Sequence, residues 1–191
     1  MLRPVLEQWF EVLKRYLDSF KKQRDRQWWY NERATLSSLA AAVWIADGIA
    51  LEEYRTKKGK KSEKWAGRCD LFFRLGTHDF ACEAKQVWCS FGSGATKTLE
   101  KIKNALSIAC KDAGNLDKNE GRRLGICFVI PYLPPSGTRQ IIVDQQITRW
   151  LEAIMTLDYS LISWVFPKNT RSPVDDSYIY PGVVMLIKEI K

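Results

Sequence analysis

The sequence predicts a mixed α/β fold, and three observations carry the prediction. Apolar residues recur at helical spacing in four separate segments, strand-length apolar or alternating runs lie between them, and the two kinds of segment interleave along the chain. With 191 residues, 46% of them hydrophobic and 12% aromatic, the chain can bury one sizeable core. Disordered and fibrous classes are thereby excluded. No repeat, low-complexity tract or composition shift marks a boundary, so residues 1–191 are read as a single domain.

From Val5 to Phe20, Leu6, Trp9, Phe10, Leu13, Tyr16, Leu17 and Phe20 follow the i, i+3, i+4 rule, while Glu7, Glu11, Lys14, Arg15 and Asp18 take the other face. This predicts a surface helix. A polar connector, Lys21 to Gln27, leads to Trp28-Trp29-Tyr30. Asn31 then caps a second helix reaching about Asp47, with Glu32 and Arg33 in its first turn and Leu36, Leu39, Ala40, Val43 and Trp44 as its core face. Gly48 ends it. Ile49 to Lys57 alternates as a strand before the basic turn Lys57-Lys58-Gly59-Lys60-Lys61.

Gly67 to Leu75 and Phe80 to Trp88 are two strands around Gly76-Thr77-His78-Asp79, which makes them an antiparallel hairpin. Ser90 to Ala95 is a loop of small residues. Leu99, Ile102, Leu106, Ala109 and Ala113 mark a helix with Lys97, Lys101, Lys103 and Lys111 outside, stopped by Gly114-Asn115. The continuous apolar run Leu124 to Ile130 reads as a buried strand ended by Pro131. Val143, Ile147, Trp150, Leu151, Ile154 and Leu157 define a fourth helix. Leu161 to Phe166 and Val183 to Ile190 are late strands, separated by a polar loop from Lys168 to Ser177.

The formal net charge of +8, concentrated in the first two thirds of the chain, favours a polyanionic partner over a neutral one. Five cysteines, Cys69, Cys82, Cys89, Cys110 and Cys127, form no C-x-x-C clip and are odd in number, which predicts a reduced, cytoplasmic protein without a zinc site. The longest apolar run, Leu39 to Ala46, is too short to span a membrane, so no membrane partner is expected.

Chemistry concentrates on the hairpin. Asp70 lies on its first strand and Glu83-Ala84-Lys85 on its second, where alternation puts Glu83 and Lys85 on one face. A two-residue loop sets Asp70 opposite Glu83, and a four-residue loop sets it opposite Lys85. Either way the three side chains converge. Paired carboxylates are the hard oxygen ligands that Mg2+ takes, leaving coordination sites for water and phosphate. An adjacent ammonium group can then position an attacking water and offset charge building on phosphorus. The bland alternative is a solvated cross-strand salt bridge worth a fraction of a kcal/mol. The apolar neighbours Leu71, Phe73, Cys82 and Ala84, with Phe72 on the charged face, argue against it, because buried charges need a reason.

Gly67-Arg68-Cys69-Asp70 followed by Glu83-Ala84-Lys85-Gln86 resembles the signature of the PD-(D/E)xK, or restriction-endonuclease-like, nuclease superfamily. The resemblance covers about residues 31–130 and implies a core of helix, three-stranded meander, helix and strand. An added N-terminal helix (1–30) and C-terminal helix and strands (131–191) lie outside it. It further implies Asp70 and Glu83 as metal ligands, Lys85 at the attacking water, and a helix carboxylate, best matched by Glu32, as a further metal ligand or a base. Cys69 stands where the name-giving proline often does. Glu32 also has a plain explanation, since an acidic residue in a helix's first turn is favoured by the macrodipole.

The spacing alone is not specific. Asp176 and Glu189-Ile190-Lys191 repeat it, but without a following helix and strand. Gly92 to Thr98 sits where a phosphate-binding loop would, yet Thr96 replaces the glycine that such a loop needs before Lys97. Trp28, Trp29 and Tyr30 are read as core in preference to a base-stacking platform, Gln86 as structural, and His78 as a turn residue. The expectation is therefore an Mg2+-dependent nuclease, with Mn2+ a substitute, hydrolysing phosphodiester bonds in DNA as an endonuclease. Lys57, Lys58, Lys60, Lys61, Lys97, Lys101 and Lys103 would contact phosphates, and a homodimer would be compatible. The alternative is a catalytically inactive nucleic-acid-binding or protein-interaction module of the same fold.

Overall fold

The computed structural model describes residues 1–59, 64–135, 140–174 and 178–190, the side chains of 140–142 excepted. Its described elements are α1 (Arg3–Ser19), α2 (Glu32–Ile45), β1 (Ile49–Lys58), β2 (Trp65–Leu75), β3 (His78–Ser90), α3 (Ala95–Gly114), β4 (Arg122–Tyr132), α4 (Gln140–Ile154), β5 (Leu161–Val165) and β6 (Val183–Ile190), with short 3-10 turns between some of them. The protein is α/β. The strands form one mixed sheet in the order β1-β2-β3-β4-β6-β5, in which β3 and β4 run parallel and every other neighbouring pair is antiparallel.

Two helical layers cover the sheet. Trp9 and Leu13 of α1 and Leu36, Leu39 and Val43 of α2 pack with Leu71, Phe73, Phe80, Leu124, Ile126 and Phe128 on one face. Ile102 and Leu106 of α3 and Trp150 and Ile154 of α4 pack with Val87, Cys127, Val129, Val184 and Leu186 on the other. The alternation of β4 between the two clusters is what a central strand covered on both faces requires. Trp9 Nε1 donates to Ser38 Oγ at 2.8 Å, which gives the fully buried indole N–H its partner, while the hydroxyl itself donates to the Thr35 carbonyl at 2.6 Å.

Helix α2 begins where the sequence places its cap: Asn31 Oδ1 accepts from the Ala34 N–H at 2.9 Å. Trp44 is corrected, being 56% exposed instead of core, because Ala42 and Val43 take the buried side of the last turn and Trp44 falls on its outer side. A second correction concerns Pro131. Strand β4 continues through it to Tyr132, since pairing with β6 has already ended at Val129 and the missing N–H breaks no ladder bond there. Trp28 is fully buried, Trp29 half-buried and Tyr30 exposed, with the Tyr30 hydroxyl and the Trp29 indole both donating to Asp25.

The β3–α3–β4 crossover is tight at one point. An added Cβ on Gly125 would meet Cys110 N and Sγ at 2.7 Å, so α3 lies directly on β4 there. Gly125→Ala is expected to lower stability by about 1–3 kcal/mol by overpacking, read as a lower urea midpoint at unchanged slope. An unchanged midpoint would mean that α3 is free to shift.

Candidate active site

Register settles how the hairpin meets. Leu75 pairs with His78 around a two-residue loop, Gly76-Thr77, and Gly76 adopts φ +59°, as the first position of a primed hairpin turn demands. Asp70 therefore belongs opposite Glu83. The β2–β3 ladder stops one step short, at Leu71 and Cys82, and the Asp70 carboxylate takes the place of a backbone carbonyl. Its Oδ2 accepts the Ala84 N–H at 2.8 Å.

The other neighbour of β2 yields at the same level. Pairing with β1 skips the Glu53–Asp70 step between Glu52–Leu71 and Tyr54–Cys69, and Glu53 has φ +53°, a left-handed conformation uncommon for a side chain of its size. Alternation resets across this break: Ala50 and Leu71 face the α1/α2 layer, whereas Tyr54 and Cys69 join Ala81 and Leu116 on the opposite side. Asp70 thus sits in an opened seam between strands.

Four predicted residues meet around that seam. Glu83 is 2% exposed, and Lys58 Nζ of β1 stands 2.7 Å from its Oε1, an ion pair whose angle leaves that oxygen without an aligned hydrogen bond. Burial pushes the Glu83 carboxyl up to about 7, Asp70 adding to the effect and Lys58 and Lys85 opposing it. Lys85 Nζ donates to the Ala84 carbonyl at 2.8 Å and lies 3.4 Å from Asp112 Oδ2. Burial works to deprotonate Lys85, but Glu32, Asp70 and Asp112 outweigh it and hold its affinity for a proton above the ordinary value. Glu32 reaches in from the start of α2, where its Oε2 accepts the Gln86 N–H at 2.9 Å. Its carboxyl is pushed up by burial and by the charges of Asp70 and Glu53, against the pull of Lys85 and the Gln86 amide. The charges of Asp70 and Lys85 thus act on both remaining carboxylates, Glu32 and Glu83.

Gln86 holds the frame. Its side chain donates to the Trp28 carbonyl at 3.2 Å and accepts from Thr35 Oγ1 at 2.7 Å, pinning β3 to the start of α2. Two contributors escaped the sequence reading. Asp112 lies near the C-terminal end of α3, where an acid opposes the macrodipole, and that misplacement was a legible signal. Glu53 carried no such signal.

The predicted phosphate contacts separate. Lys57, Lys97 and Lys103 are exposed, Lys101 is exposed with its Nζ on the Trp88 carbonyl, and Lys58 is turned inward onto Glu83. Lys60 and Lys61 lie outside the described residues, as do Asp176 and Lys191 of the repeated spacing. Glu189, from that same repeat, pairs with Arg122 at 2.6 Å.

As a cation site, the donor set is of carboxylates alone, which suits a hard ion that keeps its waters. The buried Glu83 Oε1 lacks an aligned donor, and Lys58 already brings a positive charge to it. Both features fit a cation bound between Asp70 and Glu83. Among the described residues no three of His, Cys, Asp or Glu form a ready-made cage, so such an ion would draw its other ligands from water and substrate. All five cysteines are free, and burial pushes the thiol of Cys69 up to about 12. None is a poised thiolate. Among the described residues no helix is long and apolar enough to cross a membrane.

Comparison with family models, with curated proteins and with solved structures finds no match to this chain.

Proposed function

We propose that the protein is a divalent-metal-dependent nuclease that hydrolyses phosphodiester bonds in DNA, of the restriction-endonuclease-like class. The observation that carries the reading is the seam itself: Asp70, Glu83, Lys85 and Glu32 come from two strands and a helix and converge where a strand ladder opens. A salt bridge on an exposed sheet face needs no such opening, and it would not bury Glu83 to 2% exposure. The order α2, β1–β2–β3 meander, α3, then β4 parallel to β3 is the order that the class implies, which supports the reading further.

When bound, Mg2+ or Mn2+ supplies Lewis acidity to the phosphate and to the attacking water. The chain's residues do the rest. Asp70 and Glu83 would hold the ion, and the Ala84 amide, which donates to Asp70 Oδ2, would fix that carboxylate and leave Oδ1 for it. Lys85 remains protonated between Glu32, Asp70 and Asp112, which suits it to orient the water and stabilise charge on phosphorus more than to act as a neutral base. Glu32, with its raised proton affinity, is placed to accept the water's proton. The rival reading, an inactive binding module of the same fold, draws on Lys58 standing at the place of the cation.

The test is cleavage of circular and linear, single- and double-stranded DNA with Mg2+, Mn2+ or EDTA at low salt. Wild type is expected to cut only with metal and to nick circles, and Asp70→Asn to cut nothing while keeping its fold by circular dichroism. DNA binding without cleavage by wild type on every substrate would favour the inactive module.

A further inference from the structure

A strip of positive charge runs from the candidate site along the β1–β2 pair to a recess that Arg55, Lys57 and Trp65 border together. Arg55 and Arg68 are direct cross-strand partners and both are exposed, an arrangement that costs stability unless an anion sits between them. One carboxylate serves two guanidinium groups here: Glu53 lies 3.2 Å from Arg33 and 3.7 Å from Arg68. No acidic partner of Arg55 or Lys57 occurs among the described residues. The strip therefore carries a net positive charge, one carboxylate against four cationic side chains.

The floor is low. Ala66 and Gly67 lie under a recess of about 660 Å³ walled by Glu53, Arg55 and Arg68, and a second recess of about 380 Å³ shares Arg55 and Ala66 with it and ends on Lys57 and Trp65. From Glu53 to Lys57 the strip covers roughly 13 Å at strand rise, the backbone of a few nucleotides. Its inner end adjoins the candidate site, because Glu53 stands at the skipped pairing step opposite Asp70. At its outer end Trp65 is 50% exposed and stacks on no other ring among the described residues. An exposed indole beside a basic groove takes the face of an unpaired base, which a duplex keeps inside its own stack.

We infer that Arg33, Arg55, Lys57 and Arg68, with Trp65 at the end, form a docking strip for single-stranded DNA that leads the strand toward Asp70 and Glu83. The inference deepens the nuclease reading by naming its substrate class, and it rests on that reading only for the direction of the strand. Binding along the strip needs no metal.

The experiment measures anisotropy of a fluorescein-labelled oligothymidylate and of a blunt hairpin duplex with the full chain in EDTA, at two salt concentrations. The single strand is expected to bind at least about tenfold more tightly than the duplex. Arg55→Ala/Arg68→Ala is expected to weaken it about tenfold or more and to flatten the log–log salt slope by about 1.4, as two lost phosphate contacts on a single strand predict. Trp65→Ala is expected to weaken the single strand about tenfold, Trp65→Phe much less, and neither to move duplex binding. Exposed positions keep these variants folded, with melting curves as the control. Equal binding by wild type and the double variant, or a duplex preference indifferent to Trp65, overturns the strip. Strip-dependent binding without cleavage in Mg2+ would overturn the nuclease reading alone. Asp70-dependent cleavage that the double variant retains in full on single strands would overturn the strip alone.

Discussion

Lys85→Met is expected to lose cleavage by about 100- to 1000-fold while binding Mg2+ or Mn2+ as tightly as wild type. In the proposed mechanism the ammonium group and the metal carboxylates have different tasks, so the two readouts separate. Lys85 is anchored on the Ala84 carbonyl and drawn by Glu32, Asp70 and Asp112, so its charge is held at the seam without touching the Asp70 anchor on the Ala84 amide. Methionine keeps the length and apolar stem, and the backbone of β3 stays in place. Asp70→Asn should do the reverse, losing metal and cleavage together. Isothermal titration with Mn2+ beside a plasmid-nicking assay distinguishes them. Loss of metal binding in Lys85→Met would mean that the lysine only organises the carboxylates, and retained cleavage would remove it from the mechanism.

Lys58→Met is expected to destabilise the metal-free protein by about 1–1.5 kcal/mol more at pH 8 than at pH 5, because without its partner the buried Glu83 keeps the proton that wild type has released. The side chains of Lys58 and Glu83 are 15% and 3% exposed, so water replaces little of what is lost. For a chain of this length that corresponds to a further fall in Tm of roughly 4 °C between the two pH values. The pH dependence follows from Glu83, whose carboxyl is raised to about 7 from the ordinary 4.5. A folded-state value above the unfolded one gives stability that is complete below about pH 4.5 and is lost as pH rises through 7. The gap between wild type and Lys58→Met should therefore be narrow near pH 5, where Glu83 is protonated in both, and wide above pH 7. Lys58→Met/Glu83→Gln should recover most of the loss, since no carboxyl then has to be held protonated. Thermal melts across that range decide the matter, and a single variant melting with wild type at pH 8 would show the pair to be as weak as a surface one.

Much of this architecture was legible in the sequence, because periodicity is a local property. The ten helices and strands follow in the predicted order, and the Asn31 cap and the hairpin around Gly76-Thr77 are set by residues next to one another. Composition and spacing likewise drew attention to Asp70, Glu83 and Lys85, since charges between apolar neighbours on strands are costly without a partner.

What the sequence could not decide depends on contacts between residues far apart in the chain. The opening of the ladder at Asp70 arises because its carboxylate outcompetes a backbone carbonyl for the Ala84 amide while Glu53 turns out of β1. The partners of Glu83 and Lys85 were equally hidden: Lys58 reaches one across β2, and Asp112 reaches the other from α3. Trp44 and Pro131 were misread for the same reason. Whether a helix face is covered, and whether a proline's missing N–H matters, is determined by which neighbour ends where. The sequence by itself determined the elements and the chemical candidates; the packing of β1, β2 and β3 against α2 and α3 decided which charges meet, because electrostatic coupling acts through space and periodicity acts only along the chain.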